Sequence, residues 1–248
     1  MPETGPFVWH ELRVPDLAEA VRFYGAVFGR EFTDNPMGRS ITHRGVVIGG
    51  ASAVKVGLDA DWTPYIACAD VDAAAARAAA AGGVVTTGQP TDVPGIGRIA
   101  PILDPDKSIF VAFAPQVDRA APPSEPGRFG WERLRTADVT AAAEFYAATF
   151  GWEVTVGEGG AVVDADGLRV AEVVPDESAS GWLPFVRVES SPRPGAASSR
   201  SAAQPMSRSS GGGARATRSC ATRRAWRSPS TPGRCGRFPD GESPFSPR

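Results

Sequence analysis

His10 stands in the apolar stretch "FVWHELRV", where an imidazole on a strand is a candidate general base or metal ligand. Trp9, Glu11 and Arg13 beside it add an aromatic ring and two opposite charges. The chain holds one other histidine, His43, and three cysteines, Cys68, Cys220 and Cys235, with no CxxC pair. Neither a zinc knuckle nor a disulfide framework is expected from that set, and a reducing compartment is. No Ser-His-Asp or Cys-His arrangement is suggested. "GQPTDVPGIGR" lacks a G-x-G-x-x-G, which argues against nucleotide binding. The residues around His10 are thus the first candidates for chemistry.

The element that carries them is duplicated. "VWHELRVPDLAEAVRFYGAVFG" (Val8–Gly29) returns as "GWERLRTADVTAAAEFYAATFG" (Gly130–Gly151). Trp9 returns as Trp131, Arg13 as Arg135, Phe23-Tyr24 as Phe145-Tyr146 and Phe28-Gly29 as Phe150-Gly151, but His10 returns as Glu132. A repeat at half-chain spacing predicts two copies of one module. In the first copy, Phe7–Val14 reads as a strand stopped by Pro15. Asp16 is a helix N-cap with Glu19 completing a capping box, and Gly29 is a left-handed stop. Leu17, Ala20, Val21, Tyr24, Val27 and Phe28 give that helix one apolar face.

Short strands follow at Glu31–Thr33, Ser40–His43, Val46–Val56 and Trp62–Cys68. "DVDAAAARAAAAGG" (Asp70–Gly83) reads as a second helix, and "RIAPILDPDKSIFVAFAP" as two strands about an Asp104-Pro105-Asp106 turn. The second copy repeats the order through a helix over Asp138–Phe150 and strands up to "GWLPFVRVES", which matches "DWTPYIACAD". The proline-rich stretch over residues 116–128 reads as a linker. The modules are thus expected over residues 5–115 and 129–189, the second being partial.

Charge divides the chain. Residues 1–189 hold 15 of the 26 Lys/Arg and 26 of the 28 Asp/Glu, leaving 11 and 2 to residues 190–248. That last segment has no apolar period and is dominated by Ser, Arg, Pro, Gly and Ala, so a disordered tail is expected. An arginine-rich arm for nucleic acid is one reading. Arginine without lysine is also what GC-rich DNA yields out of frame, and a frameshifted tail over 190–248 is the reading favoured. With no charged-then-apolar leader and no long apolar run, a cytoplasmic protein without a membrane span is expected.

The strand, helix, F-Y-x-x-x-F-G and D-P-D elements, in that order, resemble the vicinal oxygen chelate superfamily, which includes glyoxalase I, extradiol dioxygenases and bleomycin-binding proteins. The two-module glyoxalase-like proteins of high-GC actinobacteria are particularly similar. The resemblance implies an α+β fold of two tandem βαβββ-type modules, whose curved mixed sheets enclose a cup for a small organic molecule. The modules pair within the chain, and a homodimer is left open. Metal-using relatives supply three ligands, and counting from the landmarks puts those positions at Trp9, Thr63 and Val111, with Trp131 and Leu183 for the first two in the second copy. None suits a divalent ion.

Alternation along the strand puts His10 on the face opposite these positions. It is read as a structural histidine at a strand–helix interface, with the cup mouth or the module interface as alternatives. The cup faces then carry Trp9, Glu11, Arg13, Tyr65 and Phe113, with Trp131 and Arg133 in the second copy, as candidate ligand-binding residues and no catalytic residue assigned. The expected function is metal-independent binding of a partly apolar organic ligand with no cofactor. The alternatives are a metal-dependent glyoxalase or dioxygenase-like enzyme using His10 and a divalent ion, and a structural protein with filled cups.

Overall fold

The computed structural model describes residues 4–35, 37–54, 60–116 and 125–188. The first module runs β1 (Thr4–Val14), α1 (Leu17–Phe28), β2 (Glu31–Asn35), β3 (Gly38–His43), β4 (Val46–Ala53), β5 (Asp61–Cys68), α2 (Val71–Ala80), β6 (Val84–Val85), β7 (Thr91–Val93), β8 (Gly97–Leu103) and β9 (Ile109–Pro115). The second runs β10 (Phe129–Thr136), α3 (Val139–Phe150), β11 (Glu153–Gly157), β12 (Gly160–Ala165), β13 (Leu168–Pro175) and β14 (Gly181–Val186). The expectations for residues 190–248 and for most of the linker lie outside the described residues.

The helices form where the sequence caps them. The Asp16 side chain accepts from the Glu19 amide at 2.9 Å, while Gly29 ends α1 at φ 62°. Asp70 and Asp138 cap α2 and α3 in the same way, at 2.9 and 3.0 Å. Each such cap is worth about 1 kcal/mol.

Among the described residues the first sheet has nine strands, ordered β2-β3-β4-β1-β5-β9-β8-β6 with β7 on β8, and the second has five, ordered β11-β12-β13-β10-β14. At the centre of the first, β1 lies parallel to β4 and antiparallel to β5, and β5 lies parallel to β9. The second repeats half of this, with β10 parallel to β13 and antiparallel to β14.

Two apolar cores hold the layers together. In one, Ile66, Ala74, Ala78 and Phe110 of the first module pack with Phe145, Tyr146, Phe150 and Trp152 of the second. In the other, Leu12, Val14, Tyr24, Ile41 and Trp62 are joined by Phe129. Burying each such side chain stabilises by about 1.5–3 kcal/mol, so the modules share their stability.

Candidate functional site

Side chains of β1 alternate across the sheet. His10, Leu12 and Val14 are buried on the side of the helices, whereas Trp9, Glu11 and Arg13 keep partial exposure on the other face. The ladders bring neighbours to that second face, since Trp9 pairs with Tyr65, Glu11 with Thr63, Tyr65 with Val111 and Ala67 with Phe113. Trp9, Glu11, Arg13, Tyr65 and Phe113 therefore lie on one wall, in the register the alternation predicts.

Glu11 is the carboxylate at the centre of that wall. Gly50 lies opposite it on β4, and a Cβ there would collide with the Glu11 carboxylate and approach the Trp9 ring to 3.3 Å. A side chain at position 50 would therefore displace the Glu11 carboxylate from its place beside Trp9. The Trp9 indole donates to Glu11 Oε2 at 3.4 Å, and burial raises the Glu11 pKa against the lowering effect of the Ser52 and Trp9 hydrogen bonds. Burial also pushes the Tyr65 hydroxyl pKa well up, and its ring meets Phe113 edge-on at 5.6 Å.

Arg13 is held by a residue that alternation along β1 does not reveal. Its guanidinium donates twice to Asp61, at 3.0 and 2.6 Å, and Thr63 Oγ1 donates to the same carboxylate at 2.9 Å. Trp131 and Arg133 lie on the second sheet and do not join this wall. There Trp131 is opposite Phe185, while Arg133 donates to Glu172 at 2.6 Å and covers the Phe185 ring at 4.8 Å.

His10 has another role. Its Nε2 lies 2.7 Å from Glu132 Oε1, and its ring packs on Phe129 at 4.1 Å between centroids. Residues that are equivalents in the repeat thus meet each other where the modules join. The expectation of a strand–helix interface is corrected: His10 sits between β1 and β10, the module-interface alternative. Burial raises the Glu132 pKa, and the hydrogen bond and charge of His10 oppose that shift.

A metal of the kind the resemblance implies does not fit the donors. Trp9, Thr63 and Val111 occupy the expected positions, His10 faces away from them and is engaged by Glu132, and Asp61 is taken up by Arg13. Among the described residues no group of three or more His, Cys, Asp or Glu side chains could hold an ion. Cys68 is buried, which pushes its thiol up to about 11 and makes it a poor nucleophile.

A cavity of about 110 Å³ opens on the helix side, away from the wall. Tyr24, Asp61, Trp62, Ser108, Ser180 and Trp182 line it where β5, β9 and β14 begin. Two buried tyrosines flank this junction. Trp62 donates to the Tyr24 hydroxyl at 3.1 Å, Trp182 donates to that of Tyr146 at 2.9 Å, and Tyr146 donates to Asp104 at 3.0 Å.

The chain is similar in sequence to proteins named for glyoxylase and anthracycline biosynthesis, and similar in fold to solved structures of an extradiol dioxygenase and a glyoxalase. CFP32 of Mycobacterium tuberculosis, named a glyoxylase, is 38% identical over 121 residues, covering 46% of this chain and 45% of its own length. The anthracycline biosynthesis protein DauV of a Streptomyces species is 32% identical over 169 residues, covering 59% and 61%. The chain thus spans about half the length of the curated relatives it matches.

Two solved structures share the fold. A homoprotocatechuate 2,3-dioxygenase from Brevibacterium fuscum has a TM-score of 0.54 at 19% identity, covering 70% of this chain and 54% of that one. The Mn(II)-bound glyoxalase of Novosphingobium aromaticivorans has a TM-score of 0.52 at 16% identity, covering 75% and 64%. No protein-family model matches the chain.

Proposed function

We propose that the face of the first sheet away from its helices binds a flat, partly apolar organic molecule without the help of a metal ion. Trp9, Tyr65 and Phe113 form the apolar wall, and Glu11 meets the polar end of the ligand, while Arg13 with its partner Asp61 borders it. The observation that carries this reading is the Glu11 carboxylate, half-buried beside Trp9 and opposite Gly50, where a side chain would displace it. The carboxylate, which already accepts from the Trp9 indole, can accept from a phenol or other hydroxyl on the ligand. Few polar groups on an aromatic surface are the usual makeup of a small-molecule site. The anthracycline connection of one relative suggests a polycyclic aromatic. Trp131 and Arg133 would form a lesser counterpart on the second sheet.

Titration with a dihydroxyanthraquinone, read by quenching of tryptophan fluorescence, tests the proposal. Saturable binding is expected, weakened about tenfold or more by Trp9→Ala and by Gly50→Val, and less by Glu11→Gln, consistent with loss of one hydrogen bond. Binding that survives all three changes would place the ligand elsewhere, with the cavity at β5, β9 and β14 as the next candidate. A glyoxalase reading follows from the names of relatives, and manganese-dependent turnover abolished by His10→Ala would favour it instead.

A further inference from the structure

The cavity where β5, β9 and β14 begin is lined from both modules and lies away from the wall. Its inside is formed by the buried side chains of Leu12, Val14, Tyr24, Trp62, Trp182 and Leu183. Both indole N–H groups already donate to tyrosine hydroxyls, Trp62 to Tyr24 and Trp182 to Tyr146. What these rings offer a ligand is therefore apolar ring surface. The volume of about 110 Å³ compares with about 150 Å³ for an engineered cavity that holds benzene, so an apolar tail of about four carbons fits.

The mouth carries a cation. Lys107 is exposed where it lines the opening, and it makes no ion pair with a described residue. Asp61, the carboxylate that lines the same cavity, already accepts two hydrogen bonds from Arg13. Asp104 and Asp106 stand near Lys107 in the chain but do not line the cavity. Asp104 accepts from the Tyr146 hydroxyl and the Ser108 amide, and Asp106 accepts from the Ala137 amide. Residues 55–59, before Ala60, lie outside the described residues, and their sequence adds one lysine and one aspartate, with no net charge. An ammonium at the mouth of an apolar cavity complements a carboxylate on an apolar tail.

The backbone does not call for this lysine. Lys107 lies at φ 69°, in the left-handed region where glycine is unstrained and a side chain is not. The turn is closed by main-chain bonds, from the Lys107 amide to the Asp104 carbonyl at 3.0 Å and from the Asp104 amide to the Ser108 carbonyl at 2.9 Å. Glycine would make the same bonds with less strain. The second module also pins the turn, since Ser180 Oγ donates to the Asp106 carbonyl at 2.9 Å and the Ala137 amide to the Asp106 carboxylate at 3.2 Å. The base of the Lys107 side chain is thus fixed at the opening from both modules.

We propose that this cavity binds a small monocarboxylate with a short branched apolar tail. The tail lies among Leu12, Val14, Trp62 and Trp182, and the carboxylate meets the Lys107 ammonium at the mouth. The site is separate from the wall, and its test does not depend on any ligand bound there. In proton–nitrogen correlation spectra of the isotope-labelled full chain, sodium isovalerate should shift the indole signals of Trp62 and Trp182 and leave that of Trp9 in place. The shifts should saturate with a dissociation constant on the order of 1 mM. Isoamyl alcohol, which has the same tail without the charge, should bind about fivefold more weakly.

Lys107→Gly removes the ammonium and suits the turn. The variant should melt cooperatively within about 3 °C of the unaltered chain, bind isovalerate about fivefold more weakly and bind the alcohol as before. Titration without a saturable shift at Trp62 and Trp182 would overturn the site. Equal affinity for acid and alcohol, or isovalerate binding undiminished in Lys107→Gly, would overturn the assignment of a carboxylate. If that variant does not fold, the comparison of acid with alcohol on the unaltered chain decides.

Discussion

Helices α1 and α3 are copies of one element in different surroundings. Both begin at an aspartate cap, carry Phe-Tyr in their third turn and stop at a left-handed glycine. On α3, Phe145, Thr149 and Phe150 are 3%, 0% and 0% exposed, whereas their α1 equivalents Phe23 and Phe28 are only half-buried and Val27 is 55% exposed. The cause is α2. It lies across α3, with Arg77 donating to the Thr149 carbonyl at 2.9 Å, while no described helix lies across α1 in the same way. The same local sequence can therefore fold with its apolar face covered or open, because caps and periodicity form the helix while a distant element completes its burial.

The largest test of this contrast is a pair of truncations. Phe150→Ala should cost about 3–5 kcal/mol in urea denaturation, the usual penalty for a fully enclosed aromatic, and Phe28→Ala less than half as much. Equal costs would mean that α1 is covered after all. Close behind comes the join between the modules. Glu132→Ala leaves His10 Nε2 buried without its partner and should cost about 3 kcal/mol; a double-mutant cycle with His10→Ala should show the two losses coupled rather than additive.

The polar anchor of α3 should show itself in pH. Burial pushes Asp104 up to about 6, from an ordinary value of 3.8. A raised folded-state pKa gives stability that is fully present below the unfolded value and lost as pH rises through the folded one. Between pH 4 and 7, the chain should thus lose on the order of 2–3 kcal/mol that Asp104→Asn does not lose. Parallel pH profiles for the two proteins would contradict that origin. The smallest effect belongs to the open face, where Val27→Lys should shift stability by no more than about 0.5 kcal/mol, and a larger loss would reveal a cover on α1.

What could be read from the sequence was local. The capping aspartates, the glycine stops and most strands lie where the pattern puts them, whereas β6 and β7 span only two and three residues, too few to show a period. The wall of Trp9, Glu11 and Arg13 followed from alternation alone. Its completion did not, because Asp61 is 48 residues from Arg13 and Gly50 meets Glu11 only through strand pairing. The pairing of His10 with Glu132 spans 122 residues. A signal for it existed: among closely matched positions, this one exchanged a base for an acid.

The His10–Glu132 contact joins equivalent positions, so identical copies would put identical residues there. Two first copies meeting in that geometry would bring imidazole to imidazole, with two protons competing for one site whenever the pH falls. Two second copies would bring carboxylate to carboxylate in a place that excludes water, which costs several kcal/mol. Only the mixed pairing satisfies both residues. A duplicated chain whose copies differ at this contact therefore distinguishes self from sibling, and it steers each first module toward the second module tethered to it and away from the same module in another molecule. Exchanging the two residues should preserve that preference, whereas Glu132→His or His10→Glu alone should erase it, as read by sedimentation of the variants.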